Sequence, residues 1–378
     1  MYYQRHGRLP SKPFTKHTTE GGAELHEELL TSSGFEGPSS LIYRLRPATA
    51  INEITALPTV AVEEWPDGIL TNRRLDLTSV SGEGDLVNGR TTLFYNDKFA
   101  YALCQVTDAG KRFYRNAWAD ELIMVISGSG VLNSSFGALQ YGPLDLLYIP
   151  RGTAISLGDL DGPQSFAIVE SQGPLSPPAH LRGISGQLSY LGMYQESDIR
   201  TPDFGGPLDD PSPHEIVVKQ GNRHALHTVP AHPFDAVGWS GSLYPFAVNM
   251  ANFNPMTSRL HTTPDLWQIF ESNALAISAI TPVRLPDHPD STSAQPDHSA
   301  DCDEIFHRLG RRSDNGRGVG SVTLHTRANP HGASLTFKKR TPPDRTSGYG
   351  LILDVFDPVV VSSAAVEADD PDYYRSWT

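Results

Sequence analysis

Two neighbouring stretches decide the fold, "RNAWADELIMVISGSG" (115–130) and "YGPLDLLYIPRGTAIS" (141–156). In each, a short run of large apolar residues is bounded by Gly, Pro or Asp, the mark of a buried strand rather than a helix. An acidic residue leads into the first strand, a glycine-bearing turn follows, and the second strand closes on Pro150 and a tight loop. The same rhythm returns in the second half as "DHSADCDEIF" (297–306) and "GVGSVTLHTRANPHGAS" (318–334). The chain therefore reads as a weak internal repeat of one small barrel module.

Outward from this pair, further β-type runs alternate with turn signals: "TTLFYND", "FAYALCQV", "SFAIVES", "HEIVVKQ" and "LILDVFD". Stretches with a 3.6-residue apolar period are scarce, which predicts an all-β sandwich or barrel with few helices. The best helical candidate is "TEGGAELHEELLTSS" (19–33). Two Pro/Asp/Ser-rich segments, 200–215 and 284–304, read as loops, and the second delivers the chain into "DHSADCDEIF".

With 378 residues the chain can bury a sizeable core as two ordinary domains or one large β-rich body. Its 30 basic and 43 acidic residues give a net charge of −13, which disfavours a nucleic-acid or anionic-membrane surface. No window approaches the roughly 18 apolar residues of a membrane span, and "MYYQRHGRLPSKPF" lacks the apolar stretch of a signal peptide, so a cytoplasmic location is expected. Cys104 and Cys302 are too few for a disulfide framework or a Cys-rich zinc site. Asp301 and Asp303 beside Cys302 argue against a reactive thiolate there.

His298 and Glu304 form an H-x5-E spacing, and His325 and His331 follow in the next strand and its loop. The even spacing puts His298 and Glu304 on one side if the segment is extended. With 14 histidines in the chain the spacing alone leaves two readings open, a metal site or the polar trim of a loop.

The paired modules resemble the two-motif pattern of cupins, whose second motif closes on Pro, a ligand histidine and Gly, as "NPHG" does here. In the first module the corresponding positions read Arg115, Asn116 and Ile155, and Ala300 stands where many cupins carry a further histidine. The resemblance implies a bicupin-like double-stranded β-helix. Residues 1–250 would hold a degenerate, metal-free module, and 251–378 a cupin domain with the metal site. Two histidines and one carboxylate, His298, Glu304 and His331, would suit a non-haem Fe(II) that keeps positions open for substrate and O2.

Along nearly its whole length the chain resembles homogentisate 1,2-dioxygenases. The stretches that carry this are "MYYQRHGRLPSKPFTKH", "HEELLTSSGFEGPSSLIYRLRP", "HPFDAVGWSGSLYPF", "HSADCDE", "GSVTLH" and the closing "DPDYYRSW". That resemblance implies Fe(II)- and O2-dependent opening of homogentisate to maleylacetoacetate, as in tyrosine and phenylalanine catabolism, by a homo-oligomer (trimer or hexamer). His298, Glu304 and His331 would be the ligands, His261 the catalytic base, and His325 a second histidine beside the metal that touches substrate or O2-derived oxygens. An unperturbed imidazole pKa of about 6.5 suits His261 to removing a phenolic proton near neutrality.

One segment departs from the pattern. "IFHRLGRRSDNGRGVGSVTLH" has no aromatic residue between Phe306 and His325, where some family members place a substrate-contacting tyrosine, and it is instead basic, with His307, Arg308, Arg311, Arg312 and Arg317. It reads either as a solvated hairpin or as a place where an arginine, with Arg308 the candidate, holds a substrate carboxylate. The change leaves open the same ring-opening chemistry on a related hydroxylated aromatic acid, or a non-oxidative metal-dependent lyase or isomerase.

Overall fold

The computed structural model describes residues 2–59, 61–66, 70–260, 267–284, 286–291, 296–313, 316–332 and 346–378. The run "DELIMVIS" forms the strand Asp120–Ser127, flanked by Asp145–Ile149 and Gln164–Ser171 in a nine-stranded sheet. Its side chains alternate between two cores, with Leu122, Met124 and Ile126 in the larger and Ile123 and Val125 in the smaller. The neighbouring strands divide in the same way: Leu103, Ala167 and Val169 face the larger core, and Cys104, Phe166 and Ile168 the smaller. A sheet buried on both faces has no polar side, which is why these stretches read as continuous apolar runs.

The smaller core lies against a seven-stranded sheet that contributes Tyr114, Leu132, Leu139 and Ile155. The larger core lies against a six-stranded sheet ordered Gln268–Glu271, Leu275–Ile280, Gly350–Val355, Asp303–Arg308, Ser321–His325 and Arg73–Asp76. Its apolar face supplies Ile277, Leu353, Ile305, Leu324 and Leu75. A four-stranded sheet of Gln4–Gly7, Ala236–Gly241, Ser39–Arg44 and His26–Thr31 completes the layers. The fold is all-β and bicupin-like, and among the described residues the only helical turns are short 3-10 segments.

Strands pass between the halves of the chain in both directions. Arg73–Asp76 pairs with Ser321–His325, and Val360–Val361 pairs with Arg90–Tyr95. Every run expected as a strand forms one. The expected helix at 19–33 does not form. His26–Thr31 is a strand paired antiparallel with Ser39–Arg44, from His26↔Arg44 to Thr31↔Ser39. Gly22 at φ +84° makes a turn before it, and pairing with a partner that buries Leu41, Ile42 and Tyr43 overrides the helical propensity of Glu and Leu.

Candidate metal centre

In Asp303–Arg308 the pleat separates two sets of side chains: Asp303, Ile305 and His307 are buried, whereas Glu304, Phe306 and Arg308 occupy the opposite face. Glu304 is directly opposite His325 on one neighbouring strand and Asp354 on the other. Cross-strand register alone thus sets a histidine beside a carboxylate. Past His325 the chain turns through Thr326 to Asn329, with Ala328 in the left-handed region at φ +63°, and Pro330 directs His331 back over the strand end. The two rings stack with centroids 4.0 Å apart.

Glu304 Oε1 accepts a hydrogen bond from His325 Nδ1 at 2.8 Å and lies 3.4 Å from His331 Nε2. His331 Nδ1 donates to the Asn329 carbonyl at 3.1 Å, which fixes the tautomer and leaves Nε2 with a lone pair. That nitrogen is buried without a hydrogen-bond partner, and its lone pair faces a carboxylate oxygen 3.4 Å away with no proton between them. A buried lone pair beside a partly buried carboxylate is a donor set that fits a divalent cation. Among the described residues Glu304, His325 and His331 form a group whose ligand atoms all lie within 4.8 Å of one another. Burial pushes the Glu304 carboxyl up, but the hydrogen bond from His325 and the nearby His331 imidazole outweigh it and hold the group at about 2. Asp354 goes the other way, up to about 6, through burial and the neighbouring Glu304.

His298 stands apart from this group. Its ring is exposed, although its neighbour Asp297 exchanges two 2.9 Å backbone hydrogen bonds with His331. The structure thus unites Glu304 and His331, brings His325 in with them, and keeps His298 at the rim. His261 lies outside the described residues.

The C-terminal turn covers the group. The Tyr373 hydroxyl is 3.0 Å from His325 Nε2, and the Trp377 indole donates to the Gly332 carbonyl at 3.1 Å. Since His325 Nδ1–H serves Glu304, Nε2 accepts and Tyr373 donates. The only sequence sign of this roof is the aromatic ending "DPDYYRSW". Phe306 was legible from alternation alone, since it stands two residues after Glu304 on the same face.

His307, grouped by sequence with an exposed basic hairpin, belongs instead to the core. Its Nε2 donates to the Val319 carbonyl and its Nδ1 accepts from Tyr101, both at 2.7 Å, and burial pulls its pKa down to about 4. Cys302 is a buried free thiol, pushed up to about 11 chiefly by burial, with Asp354 and Asp301 adding to it. In the first module Ile155 is core, and Asn116 donates to Glu121 and Glu170 at 3.0 Å each. Those two buried carboxylates are held by Arg90, Tyr114 and Lys219. Among the described residues no helix is long and apolar enough to cross a membrane.

Fold and site together define a bicupin-like protein with a carboxylate–histidine centre. Over 388 aligned residues the chain is 31% identical to "Putative dioxygenase SSO1533" of Saccharolobus solfataricus, covering 100% of this chain and 99% of that protein. It is 23% identical to homogentisate 1,2-dioxygenase of Caenorhabditis elegans, covering 93% of this chain and 88% of the worm enzyme. The chain belongs to this dioxygenase family, as a divergent member of the homogentisate 1,2-dioxygenase group. No family model matches it. Among solved structures, a cupin 2 conserved barrel domain protein from Leptotrichia buccalis (10% identity, 78% of this chain and 98% of that one, TM-score 0.36) shows a similarity too loose to carry an argument. The same holds for a mutant of Bacillus subtilis oxalate decarboxylase OxdC (13%, 78% and 80%, TM-score 0.37).

Proposed function

We propose that this dioxygenase uses Fe(II) and O2 to open the ring of homogentisate, giving maleylacetoacetate. The observation that carries the reading is the convergence of Glu304, His325 and His331 on one face of the six-stranded sheet. Glu304 and His331 would hold the metal, with His298 completing the set by family resemblance, or His325 if its Nδ1 gives up the proton now shared with Glu304 and turns its lone pair to the metal. Bound there, Fe(II) would supply charge stabilisation for a phenolate and electrons for O2.

The rest is the work of the chain. Phe306, two residues along the strand from Glu304, offers an aromatic wall for a substrate ring. The Arg308 guanidinium lies over that ring, 4.8 Å from its centroid, so it points back towards Glu304 and can meet a substrate carboxylate. Trp377 and Tyr373 limit the access of water from above. His261 would take the phenolic proton, and His325 would hydrogen-bond substrate oxygen if it is not a ligand. A cytoplasmic homo-oligomer, trimeric or hexameric, is part of the proposal.

The second reading, a related hydroxylated aromatic acid as substrate, is favoured by the absence of any aromatic residue between Phe306 and His325. Anaerobic Fe(II) loading followed by O2-uptake kinetics with homogentisate, gentisate and ring-substituted analogues separates the two. A kcat/KM for homogentisate of roughly 10⁴ M⁻¹s⁻¹ or more, with analogues far below, supports the first; a better analogue supports the second. Absence of O2 uptake with every diphenolic acid removes both.

A further inference from the structure

Arg308 has a counterpart on the same face that comes from the other end of the chain. The sheet register runs Phe306↔Thr323↔Arg74 across three strands, and the adjacent row runs Arg308↔Ser321↔Asp76. Neighbouring strands lie about 4.8 Å apart and alternate residues about 6.7 Å apart, so the Arg74 and Arg308 backbones stand roughly 12 Å from each other, within reach of two converging arginine side chains. Both side chains are exposed on the site face.

Among the described residues neither guanidinium lies within 4 Å of a carboxylate, although the charge of Arg74 helps to lower the Asp76 carboxyl. Asp76, the nearest carboxylate on those rows, already accepts from the Thr78 amide and hydroxyl at 3.0 and 2.7 Å. The Tyr373 ring stands near both arginines, whose charges oppose the rise that burial imposes on its hydroxyl. The face therefore has a metal-fitting end at Glu304 and His331, a middle row that sets Phe306 and Arg74 on either side of Thr323, and a far row that carries Arg308 and Asp76.

We propose that Arg74 and Arg308 form a two-armed clamp for the carboxylate of an aromatic acid whose hydroxylated ring points towards Glu304 and His331. This deepens the proposed function and rests on it for the orientation of the ring. Arg74 is then a specificity-determining residue supplied by the edge strand Arg73–Asp76, which explains why that strand from the first module completes the sheet of the second.

The test is equilibrium binding by calorimetry to anaerobic, Fe(II)-loaded protein, with 4-hydroxyphenylacetate compared against its uncharged amide, neither having the para-diphenol needed for turnover. The wild type should bind the acid at least tenfold more tightly than the amide, with a preference that shrinks as salt is raised. Arg74→Gln and Arg308→Gln should each remove most of that preference while iron content and thermal midpoint stay unchanged. Equal binding of acid and amide, no measurable binding of the acid at millimolar concentration, or variants that keep the wild-type preference would overturn the clamp. O2 uptake with homogentisate, run in parallel, reports on the reaction separately. Loss of uptake with the acid preference intact removes the ring-opening reading and leaves the clamp, and uptake without the preference does the reverse.

Discussion

Tyr373 Oη lies 3.0 Å from His325 Nε2, so the last turn of the chain is bonded to the histidine whose other nitrogen serves Glu304. A hydroxyl that fixes one nitrogen of an imidazole fixes the direction of the other. Tyr373→Phe keeps the ring contacts with His325 and Trp377 and deletes only this bond. The expected result is iron affinity lowered by about 10–100-fold, the usual effect of losing such a partner, with stability reduced by no more than about 1.5 kcal/mol. Chelator competition against Fe(II) and a thermal melt measure the two.

Glu304 and His331 are the two groups placed together by both the resemblance and the geometry. Glu304→Ala and His331→Ala should each abolish most iron retention while circular dichroism keeps its β signature, because a core of this size does not depend on one metal to fold. Full iron in both variants would falsify the centre.

The third ligand divides His298 from His325. If the exposed His298 ring swings in to complete the set, His298→Ala loses iron and His325→Ala keeps iron but loses turnover. If His325 is the ligand, the outcomes exchange. Metal analysis of the two purified variants, side by side, decides it.

His307 gives a pH signature independent of the metal. Its pKa is lowered from 6.5 to about 4 in the folded chain, so below 6.5 the unfolded state binds the extra proton more readily. Stability from this group is therefore intact above pH 6.5 and declines as pH falls towards 4, by on the order of 3 kcal/mol in total. In His307→Gln that decline should flatten, so the gap between wild type and variant narrows or reverses in acid. Urea unfolding at pH 7, 5.5 and 4.5 reads it out, and parallel slopes for the two proteins contradict the assignment.

Lys219 closes the buried ion network of the first module, its ammonium 2.7 Å from both Glu170 oxygens. Lys219→Met removes one of the two cations that hold the buried Glu170 carboxylate, leaving Arg90 as the other, and a loss of about 3 kcal/mol in unfolding free energy is expected. Bound iron per folded chain should not change.

The strands of the nine-stranded sheet were legible because burial on both faces makes them apolar without interruption, as in "DELIMVIS". The segment 19–33 misled because its local preference is helical, and only its partner, 39–44, makes it a strand. Glu304 and His331 were legible from spacing and resemblance, but the meeting of Glu304 with His325 depends on a register that spacing does not encode. Tyr373 and Trp377 were harder still: Tyr373 reaches His325 across 48 positions, and aromatic residues at a chain end carry no local sign of what they cover. His307 looked like one charge among several arginines because its partners, Tyr101 and Val319, are remote or main-chain atoms.

Met124 looks into one core and Ile123 into the other, so the nine-stranded sheet is a party wall. A wall shared by two rooms cannot be removed from one alone: melting either core exposes apolar surface on the back of the other. With Arg73–Asp76 lent to the second half and Val360–Val361 lent back, cutting the chain near its middle would leave each fragment with an unpaired sheet edge, prone to sticking to its neighbours. The two cores thus stand on one shared sheet, and they should collapse in one cooperative transition rather than in sequence.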